Sequence, residues 1–266
     1  MSCPQMWRRA CASHLLVRVL PGVFVVASLA DDPATLARAV LERHPNAVVT
    51  GQAAAALSYL PRLPVPTIEV AAKAIGDGHP YTFSQETIPP EWVVEADGIR
   101  RTSVAMTAVD LIPRLGADPV DEALRQAGRH SGAMLRQMWA ALAARPGRPG
   151  NRVRAEVLHD SRDLPWSAAE RLSHRHLRGA HITGWTTNHP VTLAGELLLL
   201  DVAFAARRSC LEIDGWATHC DRESFERDRH RRNLLNDHGW QVRQFTWRML
   251  QDRAAFIASV RHLVAP

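Results

Sequence analysis

Between Leu197 and Trp247 the chain reads LLLLDVAFAARRSCLEIDGWATHCDRESFERDRHRRNLLNDHGWQVRQFTW. Two apolar runs of strand length each end in carboxylates, the first at Asp201, the second at Glu212 and Asp214. An arginine-rich segment of helical length follows. Gly239 stops it where a left-handed residue is wanted, and Trp240–Thr246 alternates as a strand. Carboxylates at the ends of buried strands are costly unless something neutralises them. No other feature constrains the fold as much. Glu212 and Asp214 are two residues apart, so they leave a strand on one face, and a hairpin brings Asp201 close to them.

The flanking sequence completes a unit. Ser167-Ala168-Ala169-Glu170 has the form of a capping box and predicts a helix through Arg178. Gly184–Val191 predicts an extended segment, Leu197–Phe204 and Arg208–Asp214 a strand hairpin, and Phe225–His238 a helix. Arg248–Val264 predicts a closing amphipathic helix with Leu250, Ala254, Ile257, Arg261 and Val264 along one stripe. The order helix, strand, strand, strand, helix, strand, helix describes an α/β core, a mixed sheet flanked by helices.

The earlier chain carries no comparable chemistry. Arg8-Arg9, the apolar run from Leu15 and Ser28-Leu29-Ala30 have some features of a signal peptide. Arg18 and Pro21-Gly22 interrupt that run, and a hairpin explains both: strands at Leu15–Leu20 and Val23–Val26 about a Pro21-Gly22 turn. A helix over Pro33–Arg43 follows. Within 46–144, a strand at Ala47–Thr50, an alanine-rich helix from Gln52, a strand at Thr67–Ala71 and a helix starting near Thr107 suggest a small α+β scaffold or regulatory domain. Residues 120–143 read as helical. The breaker run Arg145-Pro146-Gly147-Arg148-Pro149-Gly150-Asn151-Arg152 opens an interdomain linker, 145–164, and is basic enough to suit a nucleic-acid surface as well.

Charge supports a polyanionic partner. The formal net charge is +5, and residues 123–266 carry twenty-two basic against fourteen acidic side chains. Lys73 is the only lysine. Cys3, Cys11, Cys210 and Cys220 form no CxxC pair or zinc spacing, which fits free thiols in a reducing cytoplasm. No run spans a membrane. There is no GxxxxGK[ST] loop, GxGxxG fingerprint, HExxH or GxSxG.

Phosphodiester hydrolysis needs an activated water and charge stabilisation, which a divalent metal on hard oxygen ligands provides. Asp201, Glu212 and Asp214 suit such a site. Taken singly, Asp201 and Asp214 also suit strand-end turns, and Glu212 suits a pairing with an arginine. His219 is a candidate general base or phosphate contact, or a surface loop histidine. Arg229, Arg231 and Arg232 are candidate phosphate contacts, with Asp228 spaced for a pairing within the helix. Trp216 suits either base stacking or packing.

Asp201, Glu212-x-Asp214-Gly215, His219, Phe225, Asp228-Arg229-x-Arg231, Asn233, Leu235, Gly239-Trp240-x-Val242 and Phe245-Thr246 form an ordered set. With Glu170, Gly184-Trp185, Asn188 and Val191, they closely resemble the Vsr-like endonuclease domains of the PD-(D/E)XK, restriction-endonuclease-like superfamily, over about residues 165–263. The resemblance implies a restriction-endonuclease-like fold over 165–266, DNA as partner and Mg²⁺ (or Mn²⁺) as cofactor. It implies Asp201 and Glu212 as metal ligands and Glu170 as an assisting acid. The superfamily's lysine two residues after the second acid is Asp214 here. Residues 1–45, through Leu16-Val17-Arg18-Val19 and Pro21-Gly22-Val23-Phe24-Val25, resemble a partial winged-helix segment of abortive-infection type IV antitoxin-like proteins, and 46–144 continue that resemblance. The expected activity is a DNA endonuclease in repair or defence. The alternative is an inactive nucleic-acid-binding regulator of antitoxin type.

Overall fold

The computed structural model describes residues 15–72, 78–214 and 222–265, with 222–225 described by backbone alone. The chain divides into two compact units: Met1–Pro119 with Arg136–Ala155, and Val120–Leu135 with Glu156–Pro266.

In the first unit β1 (Leu16–Leu20) and β2 (Val23–Val26) pair antiparallel about Pro21-Gly22, where Gly22 takes φ 81°. Asp32 caps α1 (Pro33–Arg43), accepting from the Thr35 N–H at 2.8 Å, with proline in the first turn. The chain continues through β3 (Val48–Thr50), α2 (Gly51–Ala56), β4 (Ile68–Ala71), β5 (Tyr81–Ser84), β6 (Val93–Ala96), β7 (Ile99–Thr102) and α3 (Val104–Leu115). The five strands from β3 to β7 form one mixed sheet in the order β5-β4-β3-β7-β6. Val19, Leu20, Val25, Leu36 and Val40 pack with Val49, Ile68, Val70 and Ile99. Residues before and after position 45, read from the sequence as two segments, therefore build one core.

Helix α3 begins earlier than the Thr107 start expected, because Ser103 is its cap. Two helices, α4 (Asp118–Ala127) and α5 (Ser131–Ala143), replace the single helical stretch expected over 120–143. A further helix, α6 (Asn151–Asp160), occupies much of the expected linker. Two arginines of the basic breaker run turn inward within their unit, and Asn151 and Arg152 begin α6. Arg145 donates to Glu86 Oε1 at 2.7 Å and to Asp110, and Arg148 donates to Asp110 Oδ1 at 2.6 Å. Those two arginines therefore serve the fold of the unit.

The second unit is an α/β layered core. It contains α7 (Ala168–Gly179), β8 (Thr186–Leu193), β9 (Glu196–Phe204), β10 (Ser209–Asp214), α8 (Arg222–Asp237), β11 (Gln241–Thr246), α9 (Trp247–Gln251) and α10 (Arg253–Leu263). The sheet order is β11-β10-β9-β8. β8 and β10 run antiparallel to β9, and β11 runs parallel to β10. The mixed sheet and its flanking helices follow the element order expected. One core joins Leu177 of α7 and Phe256, Val260 and Leu263 of α10 to Val202, Leu211 and Phe245 of the sheet. Another joins Leu234 and Leu235 of α8 to Leu200, Ala203, Cys210 and Trp240. Cys210 is free and buried. The closing helix is broken at Asp252, whose carboxylate caps α10 by accepting from the Ala255 N–H at 3.0 Å. The break re-phases the helix, so Phe256, Ile257, Val260 and Leu263 are buried while Ala254 and Arg261 are exposed. Among the described residues no helix is long and apolar enough to cross a membrane.

Candidate functional site

The site lies where the β9–β10 ladder stops. Its register runs Ser209↔Phe204, Cys210↔Ala203, Leu211↔Val202 and ends there. One residue further, the Asp201 side chain takes over from the backbone: its Oδ2 accepts from the Ile213 N–H at 2.6 Å. A carboxylate thus satisfies an amide of the neighbouring strand, which fixes its orientation. β10 keeps its parallel pairing to β11 through Glu212↔Gln244 and Asp214↔Thr246. The acidic end of β10 is thereby held on one side while it is released on the other.

Asp201, Glu212 and Asp214 line one cleft of about 370 Å³, with Asp228, Arg231 and Arg232 of α8 facing them. Burial raises the proton affinity of Asp201, as does the Asp214 charge; the Ile213 amide and Arg231 oppose this. Burial and the charge of Asp201 raise that of Glu212 against the pull of Arg231. Asp214 is raised by burial and by Asp228, with Arg232 opposing. Carboxylates pushed toward protonation by burial and by one another mark a place short of positive charge.

Glu170 forms the cap that its sequence pattern predicts. Ser167 Oγ accepts from the Glu170 N–H at 3.1 Å and donates to Glu170 Oε1 at 3.0 Å, and the Trp166 N–H donates to Oε2 at 2.9 Å. The cap is therefore formed. The carboxylate is nonetheless buried, and its proton affinity is raised by that burial and next by the charge of Asp201. It belongs to the same electrostatic cluster.

The helix side differs from a free phosphate-contacting face. Arg231 donates through Nη2 to the Leu199 carbonyl and, at 3.1 Å, to Glu212 Oε1. Glu212 is thus paired with an arginine, as one of its sequence readings expected. Arg232 donates to the Gln244 side-chain oxygen, and Arg229 is exposed. Trp216 and His219 lie outside the described residues.

Sequence reasoning did not single out Trp166 or Gln244, and it read Asp228 as a helix partner and as one residue of the Vsr-like motif set; all three line the cleft. Asp228 was detectable, since it lies three residues before Arg231 and seven before Leu235, on one helical face. Gln244 sits opposite Glu212 in the parallel register, a pairing that no local pattern reveals.

A hard divalent cation such as Mg²⁺ is commonly held by one or two carboxylates, with waters and substrate phosphate oxygens in the remaining positions. Asp201 and Glu212 fit that donor set. Among the described residues no group of three or more His, Cys, Asp or Glu side chains is assembled to hold a metal. No family model matches the chain, and neither a curated protein nor a solved structure matches it.

Proposed function

We propose that residues 165–266 are a divalent-metal-dependent endonuclease domain that hydrolyses DNA phosphodiester bonds, in repair or defence. The supporting observation is the meeting of Asp201 and Glu212 in one cleft, both driven toward protonation, beside an arginine-rich helix. The resemblance to Vsr-like domains supplies the reaction class, and the basic surplus over 123–266 supports DNA as the partner. A bound Mg²⁺ (or Mn²⁺) supplies Lewis acidity and a water of lowered pKa at these two carboxylates. Asp201 is presented to the cleft by the Ile213 amide, so its orientation is set before substrate arrives. Asp214 stands where the superfamily has its lysine. An arginine cannot take over as base because it stays protonated. Proton acceptance therefore falls to a carboxylate, Asp214 or Glu170, or to His219.

The test is direct. Purified protein is incubated with supercoiled, mismatched and single-stranded DNA in Mg²⁺, Mn²⁺ or EDTA. Metal-dependent cleavage is expected, lost by about three orders of magnitude in Asp201→Ala and in Glu212→Ala. DNA binding without cleavage on every substrate, unchanged in both variants, would instead support a non-catalytic regulator of antitoxin type. The pairing of Arg231 with Glu212 is the observation that favours this second reading.

A further inference from the structure

The geometry points to Arg231 as a displaceable internal counter-ion: it occupies Glu212 while no divalent cation is bound, and once displaced it contacts the DNA phosphate. The inference rests on the metal-site reading above and adds a role for an arginine within it.

Three observations carry it. Arg231 reaches across from α8 to grip β9 and β10 together, through the Leu199 carbonyl and Glu212 Oε1. Both of those bonds use one nitrogen, Nη2, while the neighbouring Nε is buried with no hydrogen-bond partner. Guanidinium groups bind carboxylate or phosphate best when Nε and Nη2 donate side by side to two oxygens. Here half of that fork is unused, and a buried unmet donor costs about 1–3 kcal/mol. The group is therefore held in an arrangement that an oxyanion with two free oxygens improves. The third observation is charge. Asp201, Glu212, Asp214 and Asp228 share the cleft with Arg231 and Arg232. A divalent cation on Glu212 repels a guanidinium at hydrogen-bond distance, and a phosphate entering the same cleft attracts it. Arg231 is anchored on a helix and partly solvent-exposed, with 29% of its side chain accessible, so it can turn within the cleft without unfolding α8.

Arg232 does not serve equally: its guanidinium is on Gln244 and bonds no carboxylate of the site in this arrangement. The assignment therefore favours Arg231 over Arg232.

The experiment measures metal and DNA binding separately from cleavage. Mn²⁺ affinity is determined by calorimetry near pH 8 for the wild-type protein, Arg231→Gln, Arg231→Met and Asp201→Asn. With the internal competitor removed, Arg231→Gln and Arg231→Met are expected to bind Mn²⁺ about tenfold more tightly than wild type, while Asp201→Asn binds it more weakly. In Ca²⁺, which occupies oxygen sites without supporting turnover, the wild type is expected to gain DNA affinity, and Arg231→Gln to lose most of that gain. The methionine variant keeps the apolar stem, so a folding defect in the glutamine variant does not decide the outcome. A second readout needs no substitution in the measured protein: Mg²⁺ should shift the Arg231 Nε–H resonance, assigned by its loss in Arg231→Met. Equal or weaker Mn²⁺ binding in both Arg231 variants overturns the inference while leaving the metal site standing. Absence of Mn²⁺ binding in wild type and in all variants overturns the metal-site reading and the inference together.

Discussion

Asp110 in the first unit and Asp201 in the second are both acids pushed toward protonation by burial, yet they are treated differently. Asp110 is met by two guanidinium groups, Arg145 and Arg148, and Arg145 also holds Glu86 at 2.7 Å. Two acids face two arginines, and the set is closed. Asp201 has a backbone amide for its hydrogen bond, and the nearby arginine is turned to Glu212 and a carbonyl. Around it Glu212, Asp214 and Glu170 add charge of the same sign. Asp121 is a second closed case: buried, it takes the Arg171 Nε at 3.2 Å and an Nη2 bond as well. A buried acid with its own arginines is structural. An acid beside others, with fewer cations than carboxylates, leaves room for a cation from outside.

Removing the acid separates the two cases most sharply. Asp110→Ala leaves Arg145 and Arg148 without their shared partner, and we expect it to cost about 3 kcal/mol in chemical denaturation, the size typical of breaking a buried pair. Asp201→Asn keeps an acceptor for the Ile213 amide and removes a repelled charge. In EDTA near pH 8 it should be at least as stable as wild type, and in Mg²⁺ it should cut no DNA. A loss of about 3 kcal/mol in Asp201→Asn as well would make the two sites equivalent and remove the basis of the comparison.

Adding a divalent cation is the next test. At a hundredfold excess over its Kd, Mg²⁺ or Mn²⁺ should stabilise the wild-type protein by about 2.7 kcal/mol, read as a rise in Tm. The rise should vanish in Asp201→Asn. In a conservative variant of the closed site, Glu86→Gln, it should persist, because Glu86 plays no part in holding the metal. A rise of equal size in Asp201→Asn would move cation binding elsewhere.

Much of the second unit was legible because β9 and β10 are apolar runs of strand length, β11 alternates and the helix before it is stopped by a glycine. Asp201 was picked out as closing a run of leucines, although β9 runs on through it to Phe204; Glu212 and Asp214 follow from the end of β10 and a spacing of two, and Glu170 from a capping box. The rest was hidden where polar groups point inward. β7 buries Arg101 and Thr102, so the hydrophobic period that marks a strand is absent. α6 buries Arg154, whose Nε donates to the Val109 carbonyl at 3.1 Å, and exposes Val153. A buried arginine and an exposed valine blur its apolar stripe although Leu158 is buried, and the segment reads as part of a linker. Asp252 passes for an ordinary surface residue within a helix until its capping bond is seen. In the site itself, the residue types were readable, but the partner of Arg231 was not. Intrahelical spacing offers Asp228, while the fold brings Glu212 from nineteen positions away.

The smallest expected effect is a pH dependence, and its sign sharpens the contrast. Asp201 has its folded pKa raised, so its contribution to stability is complete below the ordinary carboxylate range, around pH 4, and is lost as pH rises through the folded value toward neutrality. His174 acts in the opposite sense. Burial lowers its pKa to about 3, so its contribution is present above its ordinary value, about 6.5, and is lost as pH falls. Both ring nitrogens of His174 are buried without partners, and the ring stacks on Trp185 at 5.4 Å. The two trends offset each other in the wild-type curve alone. The difference between wild type and Asp201→Asn cancels His174, which both proteins share. In EDTA that difference should move against wild type by about 1–2 kcal/mol between about pH 5 and pH 8. With saturating Mg²⁺ near pH 8 it should reverse, because the cation favours the ionised carboxylate that only the wild type carries. A flat difference in EDTA would mean that Asp201, like Asp110, already has its charge met from within the chain.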